Sequence, residues 1–201
     1  VEGLNQITEP VDILDRDAFE KELNELGSLR AKADAIRTRL AKSINTKYQE
    51  NPAYYENFSK RIKEALELYK ARTITEAEYL AKMRDILEDY RTGKSAIAYP
   101  NRIRANVHAQ AFYGVLTAIF SNEKLSVEPD FAAEMALDIT TIIEKHSQVD
   151  WTHNLTIHDR ISQDIDDLFY RYQKEMGLVL SFDVIDMIIE NVKTVALRRF
   201  A

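Results

Sequence analysis

Apolar residues recur three and four positions apart along almost the whole chain, the period of one face of an α-helix. Leu29, Ala33, Ile36, Leu40, Ile44 and Tyr48 mark one such face, and Tyr55, Phe58, Ile62, Leu66 and Tyr69 mark the next. Leu80, Met83, Leu87 and Tyr90 follow. Then come Val107, Ala111, Val115, Ile119 and Phe120, and after them Phe131, Met135, Ile139, Ile142 and Ile143. Ile157, Ile161, Ile165, Leu168, Tyr172 and Met176 line a penultimate helix. Ile185, Ile188, Ile189, Val192 and Val195 line the last. A shorter stripe of Phe19, Leu23 and Leu26 opens the series. The pattern predicts about eight helices. The only strand-like run, Leu178 to Leu180, is too short to anchor a sheet.

Polar punctuation fits these stripes. Asp15 or Asp17 can cap the first helix, because a short carboxylate accepts the unpaired amide hydrogens of a first turn. Gly27 ends or kinks it, and Ser28 can cap the second helix. Asn51-Pro52 closes the second helix, since the residue before proline avoids helical geometry, and Pro52 suits the first turn of the third. Thr75-Glu76-Ala77-Glu78 has the spacing of a capping box, hydroxyl and carboxylate each serving an amide of the other's turn. Gly93 stops the fourth helix, and residues 93–100 read as a loop ending at Pro100. Asn101 is placed to start the fifth, and Ser126–Asp130 is a break. Residues 147–153 are a turn, Gly177 ends the penultimate helix and Ser181 caps the last. The fold class is therefore all-α, a multi-helix bundle. Residues 1–14, with Pro10, read as an extended arm or linker from a preceding domain. Residues 15–92 read as long helices, with a helical hairpin over 28–49 and 52–71, and residues 93–201 as a C-terminal bundle.

Composition narrows the chemistry. Five glycines and four prolines in 201 residues suit long uninterrupted helices. The absence of cysteine excludes disulfides, thiol catalysis and thiolate zinc sites, and fits a cytoplasmic setting. The net charge is −6, and the acidity sits in the second half. Residues 1–100 hold 17 basic and 18 acidic side chains, while residues 101–201 hold 10 and 15. No apolar run is long enough for a transmembrane helix, and the start lacks the pattern of a signal peptide. The chain begins Val1-Glu2-Gly3, as a piece of a longer polypeptide would.

Few residues invite a chemical reading. Thr92-Gly93-Lys94-Ser95 resembles the end of a phosphate loop, but the required earlier glycine is Glu88 and a helix precedes where a strand should. A glycine helix cap explains it better. His153 and His158 lie near Asp150, Asp159, Asp164, Asp166 and Asp167, yet His153 falls in the turn and not on the helix, and Asp166 and Asp167 are adjacent and so point to different faces. A solvated acidic face is the plainer reading. Asp150 can cap a turn. Trp151, the only tryptophan, is either a buried anchor or a contact point for a partner. Residues 28–49 carry Arg30, Lys32, Arg37, Arg39, Lys42 and Lys47 against Asp34 alone, a local charge of six minus one. Such a helix can meet phosphates or an acidic protein surface, although acids nearby, Glu25 among them, can neutralise it.

Several stretches together resemble a known family. They are Glu2-Gly3-Leu4-Asn5 leading to Pro10-Val11-Asp12-Ile13-Leu14, and Asn51-Pro52-Ala53-Tyr54-Tyr55-Glu56. Thr75 to Leu80 and Ala111-Phe112-Tyr113-Gly114 follow. Last come Val149-Asp150-Trp151, Ile165-Asp166-Asp167-Leu168, and Val184-Ile185-Asp186 through Arg198-Arg199-Phe200. Their order is similar to the C-terminal helical region of the restriction (motor) subunit of type I restriction-modification enzymes. The resemblance implies a whole protein that cleaves and translocates DNA with ATP and magnesium. The nuclease and helicase motifs of that protein have no matching positions here, so no catalytic residue and no cofactor site is carried over. For this region it implies assembly with the methyltransferase (modification) and specificity subunits, at an interface to which Asp150 and Trp151 are candidates. DNA is a further candidate contact through the basic helix. The rival readings are a stand-alone nucleic-acid-binding helical module and a generic helical scaffold.

Overall fold

The computed structural model describes residues 12–94, 97–148 and 150–201. It is an all-α bundle, with eight α-helices and no strand among the described residues. These are α1 (Arg16–Glu25), α2 (Leu29–Lys47), α3 (Pro52–Lys70), α4 (Glu76–Thr92), α5 (Val107–Asn122), α6 (Pro129–His146), α7 (Leu155–Met176) and α8 (Phe182–Arg199). The caps explain the boundaries. Asp15 accepts from the Ala18 amide at 3.1 Å, Ser28 from Ala31 at 3.1 Å, and Asn51 from Tyr54 at 3.2 Å. Thr75 and Glu78 form the full capping box. Gly93 and Gly177 end α4 and α7 at φ 69° and 68°, the left-handed conformation that glycine adopts without steric cost.

Two local expectations change. The fifth helix starts at Val107 and not at Asn101. Residues Asn101–Ile103 close a short 3₁₀ turn, and the Asn106 carboxamide takes the cap, accepting from the His108 and Ala109 amides. Met176 and Val107 fall on the expected apolar stripes but lie largely in solvent, because each stands at a helix end beyond the reach of the core. Residues 1–11 of the expected arm lie outside the described residues. Asp12–Asp15 forms a turn, and Ile13 is buried.

Contacts group the chain into two compact units. The first comprises the described residues of Val1–Asn45 and Phe58–Ala96, the second Thr46–Asn57 and Ile97–Ala201. The chain passes between them within α2 and again within α3, so the turn of the hairpin belongs to the second unit.

In the first unit α4 is the shared element. Tyr79, Leu80, Met83, Ile86, Leu87 and Tyr90 are all buried on it. Tyr79 stacks on Tyr69 of α3 at 4.7 Å, and Tyr90 meets Phe58 edge-on at 5.5 Å and the Ser43 hydroxyl at 2.6 Å. Around this seam, ion pairs join neighbouring helices: Arg84 to Glu20, Arg16 to Glu88, Arg61 to Asp89. Arg91 donates to the Ile13 carbonyl at 2.6 Å.

In the second unit α5 packs on α6 and α8, α6 on α7, and α7 on α8, which makes a four-helix ring. Its core is built on Phe112, Leu116, Ile139, Ile165, Phe169 and Ile188, none exposed. At ~25 cal/mol per Å² of buried apolar area, each such side chain contributes roughly 1.5–3 kcal/mol before chain entropy is counted. Gly114 lets α5 approach the start of α3, since a Cβ added there would stand 2.6 Å from the Ala53 Cβ. We expect Gly114→Ala to destabilise the protein by about 1–3 kcal/mol through overpacking. Ala53→Gly in the same chain should restore much of that loss, as read by urea denaturation.

Candidate functional site

Three of the motifs that carried the family resemblance converge at one end of the second unit. Trp151 opens a 3₁₀ turn between α6 and α7 and is 3% exposed. Asp150, just before it, is exposed and adopts φ 63°, a conformation that turns the chain into the tryptophan. The Trp151 indole Nε1 donates to the Phe200 carbonyl at 2.9 Å, fastening the end of α8. His158 Nε2 lies 3.1 Å from the Trp151 carbonyl oxygen. The Phe200 ring packs on His108 at 4.3 Å and lies nearly parallel to Phe112 at 6.4 Å.

Arg199 completes the cluster. Its guanidinium donates to the carbonyl oxygens of Glu50 at 3.1 Å and Val107 at 3.0 Å, and to His108 Nδ1 at 3.3 Å. Two carbonyl acceptors and a ring nitrogen thus satisfy a cation that burial would otherwise penalise. Burial lowers the guanidinium's pKa, and the nearby Glu50 opposes that shift. Arg198 Nε donates to the Gln49 side chain at 2.8 Å. Because His108 Nδ1 accepts, its ring is neutral with the proton on Nε2. Burial, then the Arg199 charge, pushes its pKa down. The cluster therefore joins the turn before α3, the start of α5, the α6–α7 turn and the end of α8. It holds no nucleophile beside a base, and its chemistry is that of a fastening. The sequence pointed at Trp151 and Asp150, held Arg199 only within a resemblance motif, and did not point at His108. An arginine that will bind backbone carbonyls looks like any other near a helix C-terminus until the chain is folded.

The basic residues of α2 are spread around the helix. At about 100° per residue, Arg30 and Arg37 fall on one flank and Lys32 and Arg39 on the other, with Lys42 and Lys47 on neither. Asp34 holds Arg30 at 3.7 Å and Arg37 at 3.4 Å, and Glu22 of α1 holds Arg39 at 2.7 Å. Lys47 groups with the second unit. Three of the six charges are thus paired within the first unit.

Asp164 and Asp167 of α7 line a groove of about 550 Å³ against α6. Asp164 accepts from Lys145 at 2.9 Å and lies 2.8 Å from His146 Nε2; these bonds, His146's first, lower its pKa. Asp138 accepts from the Tyr172 hydroxyl at 2.6 Å and from Arg171 at 3.3 Å. Burial and then that hydrogen bond raise the Tyr172 phenol's pKa. Asp166 is exposed on α7 and Asp167 lies on the groove wall. His153 is exposed in the 3₁₀ turn. Among the described residues no three His, Asp or Glu side chains gather as a metal site. Gly93 serves as the αL cap of α4, and Ser95 lies outside the described residues.

Trp151→Ala should cost roughly 3–5 kcal/mol of stability, and Trp151→Phe distinctly less, since the ring volume is mostly kept and one hydrogen bond is lost. Thermal melts of both variants check this. The His108 shift sets a pH dependence. The unfolded chain binds this proton near the ordinary value of 6.5, while the folded ring resists it. Stability therefore falls as pH drops through that value and levels off below the folded pKa. Melting temperatures between about pH 7.5 and pH 5 should decline in the parent chain and decline less in His108→Asn.

Among the described residues no helix is long and apolar enough to cross a membrane. The family described as type I restriction enzyme HindI endonuclease subunit-like, C-terminal, matches residues 3–196. No curated protein and no solved structure matches the chain. The family match spans the Asn51–Glu56, Thr75–Leu80, Ala111–Gly114 and Asp150-Trp151 motifs, and the last two of these contribute to the cluster above. The chain belongs to the family of C-terminal domains of type I restriction enzyme HindI endonuclease subunit-like proteins.

Proposed function

We propose that this chain is the assembly domain of a type I restriction endonuclease (motor) subunit, docking that subunit onto the methyltransferase core, and that it performs no reaction itself. The observation that carries this reading is an apolar group left in solvent where α7 turns into α8. Val179 is 83% exposed and Phe182 85%, with Met176 at 60% beside them. Scattered single apolar side chains are ordinary on a protein surface. Three large ones within seven residues of chain, on an element otherwise well packed, are the mark of a surface covered by another protein. The whole subunit's DNA cleavage and ATP-driven translocation are then the work of other regions, which also supply the sites for ATP and magnesium.

Contact with DNA through α2 is the second reading, favoured by that helix's excess of positive charge. The pairing of Arg30, Arg37 and Arg39 with Asp34 and Glu22 reduces the charge left for phosphates.

Affinity capture with the methyltransferase and specificity subunits tests the first reading. We expect the folded chain to be retained, and to neither hydrolyse ATP nor cut DNA. A folded chain that passes through unretained would sink it. A gel shift with duplex DNA at low salt tests the second. Phosphate contacts would give a shift that weakens steeply as salt rises, and Lys32→Glu should reduce it.

A further inference from the structure

The four-helix ring of the second unit has two chemically different ends. Helices that are consecutive in sequence pack on each other through short connections, so they alternate in direction. The start of α5, the α6–α7 turn and the end of α8 meet in the Trp151–Arg199 cluster. The α5–α6 and α7–α8 connections therefore share the opposite end.

That opposite end carries the exposed Met176, Val179 and Phe182. It is also strongly acidic. Glu175, Asp183 and Asp186 stand on the α7–α8 side, all exposed. Glu123, Glu128 and Asp130 stand on the α5–α6 side, also exposed. Lys124 and Lys174 are the basic side chains between them. None of the six carboxylates takes part in an ion pair among the described residues. Elsewhere in the chain several acids are bound to a cation, Glu20, Glu22, Glu88, Asp89, Glu134, Asp138 and Asp164 among them.

We infer that this end of the second unit is a docking surface for a basic amphipathic helix of a partner protein. That helix would seat apolar side chains on Val179 and Phe182 and place lysines or arginines among the unpaired carboxylates. The inference rests on the assembly reading and names the chemistry of the partner's contact. Charge selects the occupant. A row of phosphates would be repelled by six carboxylates against two lysines, and so would the same acidic end of a second copy of this chain. A basic helix with an apolar stripe satisfies both the exposed apolar groups and the unpaired acids, through the groove-and-anchor mode by which helices bind proteins.

The probe is a fluorescein-labelled synthetic helix of leucine and lysine, compared with its leucine–glutamate counterpart by anisotropy. Val179→Ser/Phe182→Ser and Asp183→Lys/Asp186→Lys change only exposed side chains, and unchanged melting temperatures confirm that both variants fold. We expect the parent chain to bind the lysine helix and not the glutamate helix, with salt weakening the complex. The serine variant should lose about tenfold or more in affinity, and the lysine variant should reverse the preference. Equal binding by all three proteins would overturn the proposal, as would a preference for the glutamate helix. Duplex DNA bound at this end, or self-association abolished by the serine variant, would overturn it in favour of another occupant. The same variants carried into the capture experiment separate the two ideas. If the parent and both variants hold the methyltransferase core equally, this surface is wrong and assembly stands. If the parent fails to hold the core yet shows the expected peptide pattern, assembly is wrong and the surface stands.

Discussion

Arg199 is a half-buried cation at the end of the last helix, and its guanidinium is held on several partners. Its donors are fixed on the carbonyls of Glu50 and Val107 and on the His108 ring. Those partners come from three separate parts of the chain, and the indole of Trp151 holds the next residue, Phe200, by its carbonyl. Breaking one member leaves half-buried donors or acceptors without partners, which costs more than the hydrogen bond itself contributes. The position of α8 against α5 thus depends on a few polar contacts set into an apolar ring. The neutral state of His108 follows from the same constraint, since its Nδ1 must accept.

Polar side chains are used differently across the chain. In the first unit, ion pairs cross between helices around the buried face of α4, at partly exposed positions where such pairs contribute little to stability but discourage other registers. In the second unit, the Trp151 end is closed by hydrogen bonds to backbone carbonyls. The α7–α8 end keeps its carboxylates unpaired beside exposed apolar groups.

Close approach of backbones supplies a second constraint. Gly114 on α5 admits Ala53 at the start of α3 because neither brings bulk to the contact. The Asn51 carboxamide caps α3 beside it. Small residues at this crossing set a separation that larger ones would force open. This places the turn before α3, and with it the Glu50 carbonyl, within reach of Arg199.

The sequence alone determined the helices and where most of them stop. Three- and four-residue spacing of apolar side chains is local information, and so are the Thr75–Glu78 box, the Ser28 and Ser181 caps and the glycines at 93 and 177. The start of α5 escaped it because Asn101 and Asn106 are both competent to cap, and the choice rests on the turn that Gln110 braces through the Ile103 and Arg104 carbonyls. The ordered motifs also determined the family. Only tertiary structure decided what the motifs do. Asn51–Glu56, Ala111–Gly114, Trp151 and Arg199 are scattered along the chain and meet because helix packing brings them together. Likewise, six basic residues on α2 read as one charge until Asp34 and Glu22 arrive beside three of them. Phe182 and Val179 read as ordinary apolar residues until the bundle closes without covering them. Periodicity is written residue by residue, whereas burial and pairing depend on which other segments stand alongside.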